Sequence, residues 1–182
     1  MNMDIELKRY LDSLEFVAEG ESIWIPGELE FDLRLAFTTQ YPPEKYTSSI
    51  RAVLLNQANA MMVVETPSET HILPGGRREA GETYEQTLHR EIGEETGYRI
   101  LNAEFIGVLH FVHRFPMTKD WNPVLYPHMV HPIYCAVAGE YDATLLEEDG
   151  PETGIGFFSL TELEAFSLDK AQYTIARHVL SL

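Results

Sequence analysis

The chain of 182 residues is short of basic residues and carries a single cysteine, Cys135. Its 13 lysines and arginines stand against 29 aspartates and glutamates, a formal net charge of −16. A surface this acidic has no electrostatic footprint for a nucleic acid and no polybasic patch for anionic lipid, so neither is a predicted partner. One thiol cannot close an internal disulfide or complete a structural zinc site that needs two, and it fits a reducing compartment. No apolar run approaches the roughly 20 residues of a transmembrane helix. The opening "MNMDIELKRYLDSLEF" lacks the apolar core of a secretory signal. Together these absences predict a soluble, cytoplasmic protein. Internal repeats, low-complexity tracts and Gly/Ser linkers are missing too.

What is present is an ordinary globular composition, 45% hydrophobic and 23% charged, long enough to bury a core. "DIELKRYLDSLEF" reads as an amphipathic helix with Ile5, Leu7, Leu11 and Leu14 on its apolar side. "ESIWIPGELEFDLRLAFT" alternates on either side of Pro26-Gly27, which predicts two strands joined at a turn. The paired prolines of "YPPEKYTS" mark a boundary, giving an N-terminal extension over 1–48 and a main domain over 49–182. In the latter, "SSIRAVLLNQ", "AMMVVET" and "THILPGG" read as short strands, followed by a helix near 83–96. The strands "ILNAEFIGVLHFVHRF", "HMVHPIYCAVAGEY" and "IGFFSL" come next. A helix in "TELEAFS" with a threonine cap and another in "AQYTIARHVLSL" close the chain. Strands, an inserted helix, then strands and terminal helices predict an α/β (α+β) layer fold.

The helix near 83–96 is the informative stretch. Thr83 and Gln86 have capping-box spacing, and Gly97 stands where a left-handed C-terminal cap belongs. Tyr84, Leu88 and Ile92 form one stripe that can pack on a sheet. Glu95 falls at the margin of that stripe, Glu91 and Glu94 follow around the adjacent arc, and Arg90 lies beyond them. Like charges this close destabilise an isolated helix by roughly a few tenths of a kcal/mol per pair. They mark either a solvated charged face or a hard-cation site. Glu91 and Glu95 at i and i+4 suit Mg²⁺, which takes one or two carboxylates and substrate phosphates. A carbonyl of the Gly75-Gly76 turn can add a ligand, and Arg90 can pair with Glu94 or Glu82.

The segment from Gly76 to Tyr98 resembles the Nudix hydrolase signature, G-x5-E-x7-R-E-U-x-E-E-x-G-U with U a bulky aliphatic residue. Gly76, Glu82, Arg90, Glu91, Ile92, Glu94, Glu95 and Gly97 fill its positions at the right spacing; only Tyr98 departs, in place of a final aliphatic residue. The resemblance implies a Nudix fold, a mixed β-sheet sandwiched between helices, here with a helix-hairpin extension. It implies a Mg²⁺-dependent (or Mn²⁺-dependent) pyrophosphohydrolase acting on a nucleoside diphosphate linked to another group: ADP-ribose, another nucleotide sugar or a nucleoside triphosphate. It assigns the metal to Glu91 and Glu95, with Glu94 and the Gly76 carbonyl, and catalytic roles to Glu94, Arg90 and Glu91. The general base is either a box glutamate or one of Glu147, Glu148 and Glu152 in the later acidic loop. A nucleotide-sensing module on the same fold is the alternative. Metal binding also reconciles a strongly acidic protein with a polyphosphate substrate.

Nothing outside the box names the substrate. Arg77 and Arg78 in the preceding turn are candidates for phosphate contact, and Trp121, in the proline- and aromatic-rich loop, for stacking on a base. Two H-x-x-H pairs raise zinc, but strand residues at i and i+3 face opposite ways. A single histidine reaching the substrate, His110 or His128, is the preferred reading. The extension over 1–48 is expected to form a homodimer contact or to cover the cleft.

Overall fold

The computed structural model describes residues 3–116, 126–148 and 150–181. Its first helix, α1 (Ile5–Asp12), is capped by Asp4, whose carboxylate accepts from the Glu6 N–H at 2.8 Å. Leu7, Tyr10 and Leu11 are buried, whereas Ile5 is 66% exposed. The expected apolar side was therefore rotated: Leu7, Tyr10 and Leu11 share the i, i+3, i+4 face, and Ile5 falls off it. Alternation about Pro26-Gly27 produces the hairpin β1 (Phe16–Ile25) and β2 (Leu29–Phe37). Gly27 takes the turn at φ 77°, a region open to glycine.

The remaining strands and α-helices are β3 (Arg51–Leu55), β4 (Met61–Glu65), β5 (Thr70–His71), α2 (Tyr84–Thr96), β6 (Tyr98–His113), β7 (His128–Tyr141), β8 (Gly154–Phe158), α3 (Leu160–Leu163) and α4 (Lys170–Leu180). The strands join one sheet in the order β1-β2-β6-β7-β3-β4-β5, with β8 also on β4. β3 runs parallel to β7 and the other pairings are antiparallel. The N-terminal hairpin thus continues the sheet through β2 against β6, with Leu35 opposite Leu109.

Two apolar clusters cover the two faces, because successive strand residues point to opposite sides. Val53, Met61, Val63, Phe31 and Leu33 meet Leu163 of α3 and Ile175 and Val179 of α4. Ala52, Leu54, Met62 and Val64 meet Leu7 and Leu11 of α1 and Leu88 and Ile92 of α2. β3 and β4 are covered on both sides, which is why "AVLL" and "MMVV" are unbroken apolar runs. The architecture is the mixed sheet between helices expected from the sequence.

Two local expectations are corrected. The strand in "THILPGG" spans only Thr70–His71. Ile72 N–H donates instead to Gln172 Oε1 at 2.9 Å, and the carbonyls of Pro74 and Gly76 accept from Ala52 and Ile50 at 3.0 and 2.9 Å. The helix after β8 is capped by Ser159, not by a threonine, because Ser159 and Glu162 complete a capping box.

Candidate active site

Both ends of α2 are locked locally. Thr83 Oγ1 accepts from Gln86 N–H at 3.2 Å, Gln86 Oε1 accepts from Thr83 N–H at 2.8 Å, and Gly97 closes the helix at φ 70°. Leu88 and Ile92 are fully buried against the sheet, so the arc bearing Glu91, Glu94 and Glu95 is held at the helix margin.

Arg90 organises that arc. Its Nε and Nη2 donate to the two oxygens of Glu82 at 2.8 and 3.0 Å, and Nη1 donates to Glu91 Oε1 and to Glu94 Oε2, each at 2.9 Å. The second Nη2 hydrogen goes to the Arg77 carbonyl at 2.9 Å. All the donors of the guanidinium are engaged. Glu82 also accepts from the Glu79 N–H and the Thr87 hydroxyl, at 2.9 and 2.8 Å. The Arg90 hydrogen bonds, then the Glu79 amide, hold the Glu82 carboxyl down at about 2.

The turn before the helix closes over the same carboxylates. Gly75 N–H donates to Glu95 Oε2 at 2.8 Å. A Cβ on Gly76 would lie 2.2 Å from Glu91 Oε2, so only glycine lets that carboxylate rest on the turn. Gly75 has φ 130°, and a Cβ there would meet the Ile50 carbonyl at 2.2 Å. Arg51 Nη1 donates to the Gly75 carbonyl.

Each of the three carboxylates keeps one oxygen with no hydrogen-bond partner among the described residues: Glu91 Oε2, Glu94 Oε1 and Glu95 Oε1. Burial raises the Glu91 carboxyl, partly offset by Arg90. Burial pushes Glu95 up to about 7; Arg51 and the Gly75 amide oppose this, and Glu152 and Glu91 add to it. Crowded, desolvated carboxylates with spare oxygens fit a hard divalent cation, which would relieve the charge. Among the described residues no three acidic, histidine or cysteine side chains form a closed ligand cage. Mg²⁺ does not require one, since it keeps waters and takes substrate oxygens.

A cavity of about 330 Å³ opens beside the turn and is lined by Gly76, Arg77, Arg51, His71 and His131. The volume lies within the range of small-molecule sites. His131 is buried with Nε2 2.9 Å from Ser48 Oγ, and burial holds its pKa well below the ordinary value. His71 Nδ1 accepts from Leu73 N–H at 3.3 Å, and burial holds it to about 4.

The candidates from the sequence are distributed unevenly. Arg77 lines the cavity, whereas Arg78 is paired with Glu44 at 2.6 Å and lies over the Tyr84 ring, away from it. His110 does not line the cavity either. It is fully buried, with Nδ1 3.0 Å from Arg34 Nη2 and Nε2 3.1 Å from His128 Nδ1. Trp121 lies outside the described residues. Of the loop carboxylates, Glu152 is the one whose charge acts on Glu95; the Glu147 amide donates to the Glu94 carbonyl at 3.0 Å. Arg51 and Trp24, both lining the cavity, were not singled out from sequence. A lone cation opening the apolar run "RAVLL" was the available signal for Arg51; Trp24 had none beyond strand alternation.

The family model described as NUDIX domain matches residues 45–179. No curated protein matches in sequence. Among solved structures, the chain is similar to a mutant form of the Bacillus subtilis pyrophosphohydrolase BsRppH, at 16% identity and TM-score 0.58, over 91% of this chain and 96% of that one. It is similar to the mutator protein MutT from Bacillus halodurans at 21% identity and TM-score 0.54, over 74% and 82% of the two chains. A NUDIX hydrolase from Nitrosomonas europaea matches at 20% identity and TM-score 0.52, over 74% and 86%. At these identities the likeness is one of fold.

Proposed function

The chain belongs to the NUDIX family, and on that premise we propose that it is a Mg²⁺-dependent pyrophosphohydrolase cleaving a nucleoside diphosphate linked to a second group, either a nucleotide sugar such as ADP-ribose or a nucleoside triphosphate. The observation that carries this reading is the arc of Glu91, Glu94 and Glu95, oriented by Arg90 and Gly75, each with a spare oxygen. The carboxylates do not line the cavity themselves, but Gly76 and Arg77 of the adjoining turn do. Glu91 and Glu95 would hold the metal, with Glu94 alongside. The Gly76 carbonyl accepts one hydrogen bond from Ile50 and keeps a second lone pair for a cation. A bound divalent metal supplies charge neutralisation of the phosphates and a more acidic water.

The protein's own groups do the rest. Arg90 fixes Glu91 and Glu94 so that their free oxygens are presented without rotamer search. Arg77, whose side chain makes no hydrogen bond or ion pair among the described residues, pairs with a phosphate oxygen. Water attacks phosphorus, the anhydride P–O bond breaks to release the phosphate leaving group, and the water proton passes to a carboxylate, either a box glutamate or one of Glu147, Glu148 and Glu152 in the acidic loop. The net charge of −16 repels a free polyphosphate, and the metal requirement offsets it. In this reading residues 1–48 are an extension on a hydrolase domain at 49–182. Light scattering decides whether the protein is the homodimer expected from sequence.

The test is a product-resolved hydrolysis screen with Mg²⁺, Mn²⁺ and chelator, over ADP-ribose, nucleotide sugars, dinucleoside polyphosphates and nucleoside triphosphates. Metal-dependent cleavage of one class, absent in Glu95→Gln, is the expected outcome. Nucleotide binding with no cleavage by the intact protein would replace this reading with that of a sensor.

A further inference from the structure

Trp24 sits on β1, outside the residues matched by the family model, yet it lines the same cavity as Gly76 and Arg77. Its ring is held in place by the core beneath. The Phe31 ring centroid is 4.6 Å away and that of Phe111 5.9 Å, both tilted, and His131 lies nearly parallel at 6.3 Å. The indole N–H donates to Ser22 Oγ at 3.0 Å, which fixes the rotation of the ring. With these partners Trp24 still leaves 41% of its surface exposed. A large aromatic ring, immobilised and left bare at the rim of a cavity, is a stacking platform: it orders little on binding and offers a π-face to any base.

The cavity has a mixed lining, with Arg51, Arg77, Glu69 and Asp169 among its charged residues. Arg77 and the glycine turn, beside the carboxylate arc, suit the anionic part of a ligand. Leu33, Leu109, Phe111 and Met129 line it as well and suit a flat, uncharged ring. Resting on the hydrolase reading above, we propose that the N-terminal hairpin is a substrate-specificity element. In it, Trp24 stacks on the nucleobase while the phosphates extend toward Arg77 and Gly76. The chain outside the family match would thereby set the preference for base-bearing substrates over bare phosphate compounds.

Two measurements test this. In a Trp121→Phe background Trp24 is the sole tryptophan, and its fluorescence is titrated without metal against AMP, GMP and ribose 5-phosphate. Saturable quenching by the nucleotides but not by ribose 5-phosphate is expected. In turnover assays Trp24→Ala should raise KM for the nucleotide substrate by about tenfold with kcat nearly unchanged, and Trp24→Phe should restore most of the loss. Equal quenching by ribose 5-phosphate, no quenching, or an unchanged KM in Trp24→Ala would overturn the inference while leaving a hydrolysing wild type intact. An intact wild type that cleaves no nucleotide would instead remove the hydrolase reading. If Trp24→Ala proves unfolded by circular dichroism, the fluorescence titration still decides.

Discussion

Arg90 grips both oxygens of Glu82, through Nε at 2.8 Å and Nη2 at 3.0 Å, and so ties the middle of α2 to the loop that precedes it. The same guanidinium reaches Glu91, Glu94 and the Arg77 carbonyl. Lysine has neither the plane nor the number of donors to replace it. Arg90→Lys should therefore lower kcat/KM by at least about tenfold, with a smaller change in KM, since displacement of about 1 Å at a reacting group can cost a hundredfold. Steady-state kinetics check this. An unchanged kcat would mean that the hub only supports the loop.

Gly76→Ala isolates the contact between the turn and Glu91. The backbone of Gly76 is not in the left-handed region, so alanine is tolerated conformationally, but its Cβ would fall 2.2 Å from Glu91 Oε2. The flexible carboxylate moves rather than the fold. Metal affinity measured by calorimetry should fall by tenfold or more, with Tm within a few degrees of wild type.

Glu95→Gln should separate stability from function. The half-buried Glu95 carboxyl sits at about 7 in the metal-free fold, above the ordinary glutamate value of 4.5. A raised acid destabilises the fold once it must ionise, so the cost grows from pH 4.5 through 7 and is complete by pH 8. Gln keeps an oxygen for the Gly75 amide without that charge. Metal-free Glu95→Gln should melt several degrees higher than wild type at pH 8 and equally at pH 4, while its metal binding and turnover are lost. Differential scanning calorimetry at the two pH values provides the comparison.

Acid should weaken the fold through its histidines. His71 is held to about 4 and His110 to about 3, and His131 well below its ordinary 6.5, all by burial first. In each, the unfolded chain binds the proton more readily. Their contribution to stability is complete above pH 6.5 and is lost as pH falls from 6.5 toward 4 and then 3. Glu95 works in the opposite direction between 4.5 and 7, and Glu91, also raised by burial, works the same way, but they are two groups against three. Tm of the metal-free protein should thus fall on acidification across this window, and the slope should be shallower in His110→Gln.

The two box-turn arginines should behave differently. Arg77 lines the cavity, whereas Arg78 is paired with Glu44 and rests on Tyr84. Arg77→Ala should raise KM by about tenfold, the effect of losing a charge-assisted phosphate contact. Arg78→Ala should leave kinetics near wild type. Equal effects would place the phosphates elsewhere.

Much of this protein is written locally in its sequence. The caps at Thr83 and Gly97, the stripe of Leu88 and Ile92, and the adjacency of Glu91, Glu94 and Glu95 follow from side chains a few residues apart on a 3.6-residue period. The hairpin about Pro26-Gly27 and the doubly buried runs of β3 and β4 follow from alternation and its absence. Only the tertiary structure decided which arginine of a neighbouring pair meets the cavity, because that depends on Glu44 and Tyr84 arriving from other elements. It likewise took His110 into a chain with Arg34 and His128, and brought Trp24 to the cavity that contains Gly76. Those juxtapositions come from pairing β2 with β6 and β3 with β7, contacts between segments far apart in sequence. Periodicity states which face a residue takes; only the order of strands in the sheet states what that face will meet.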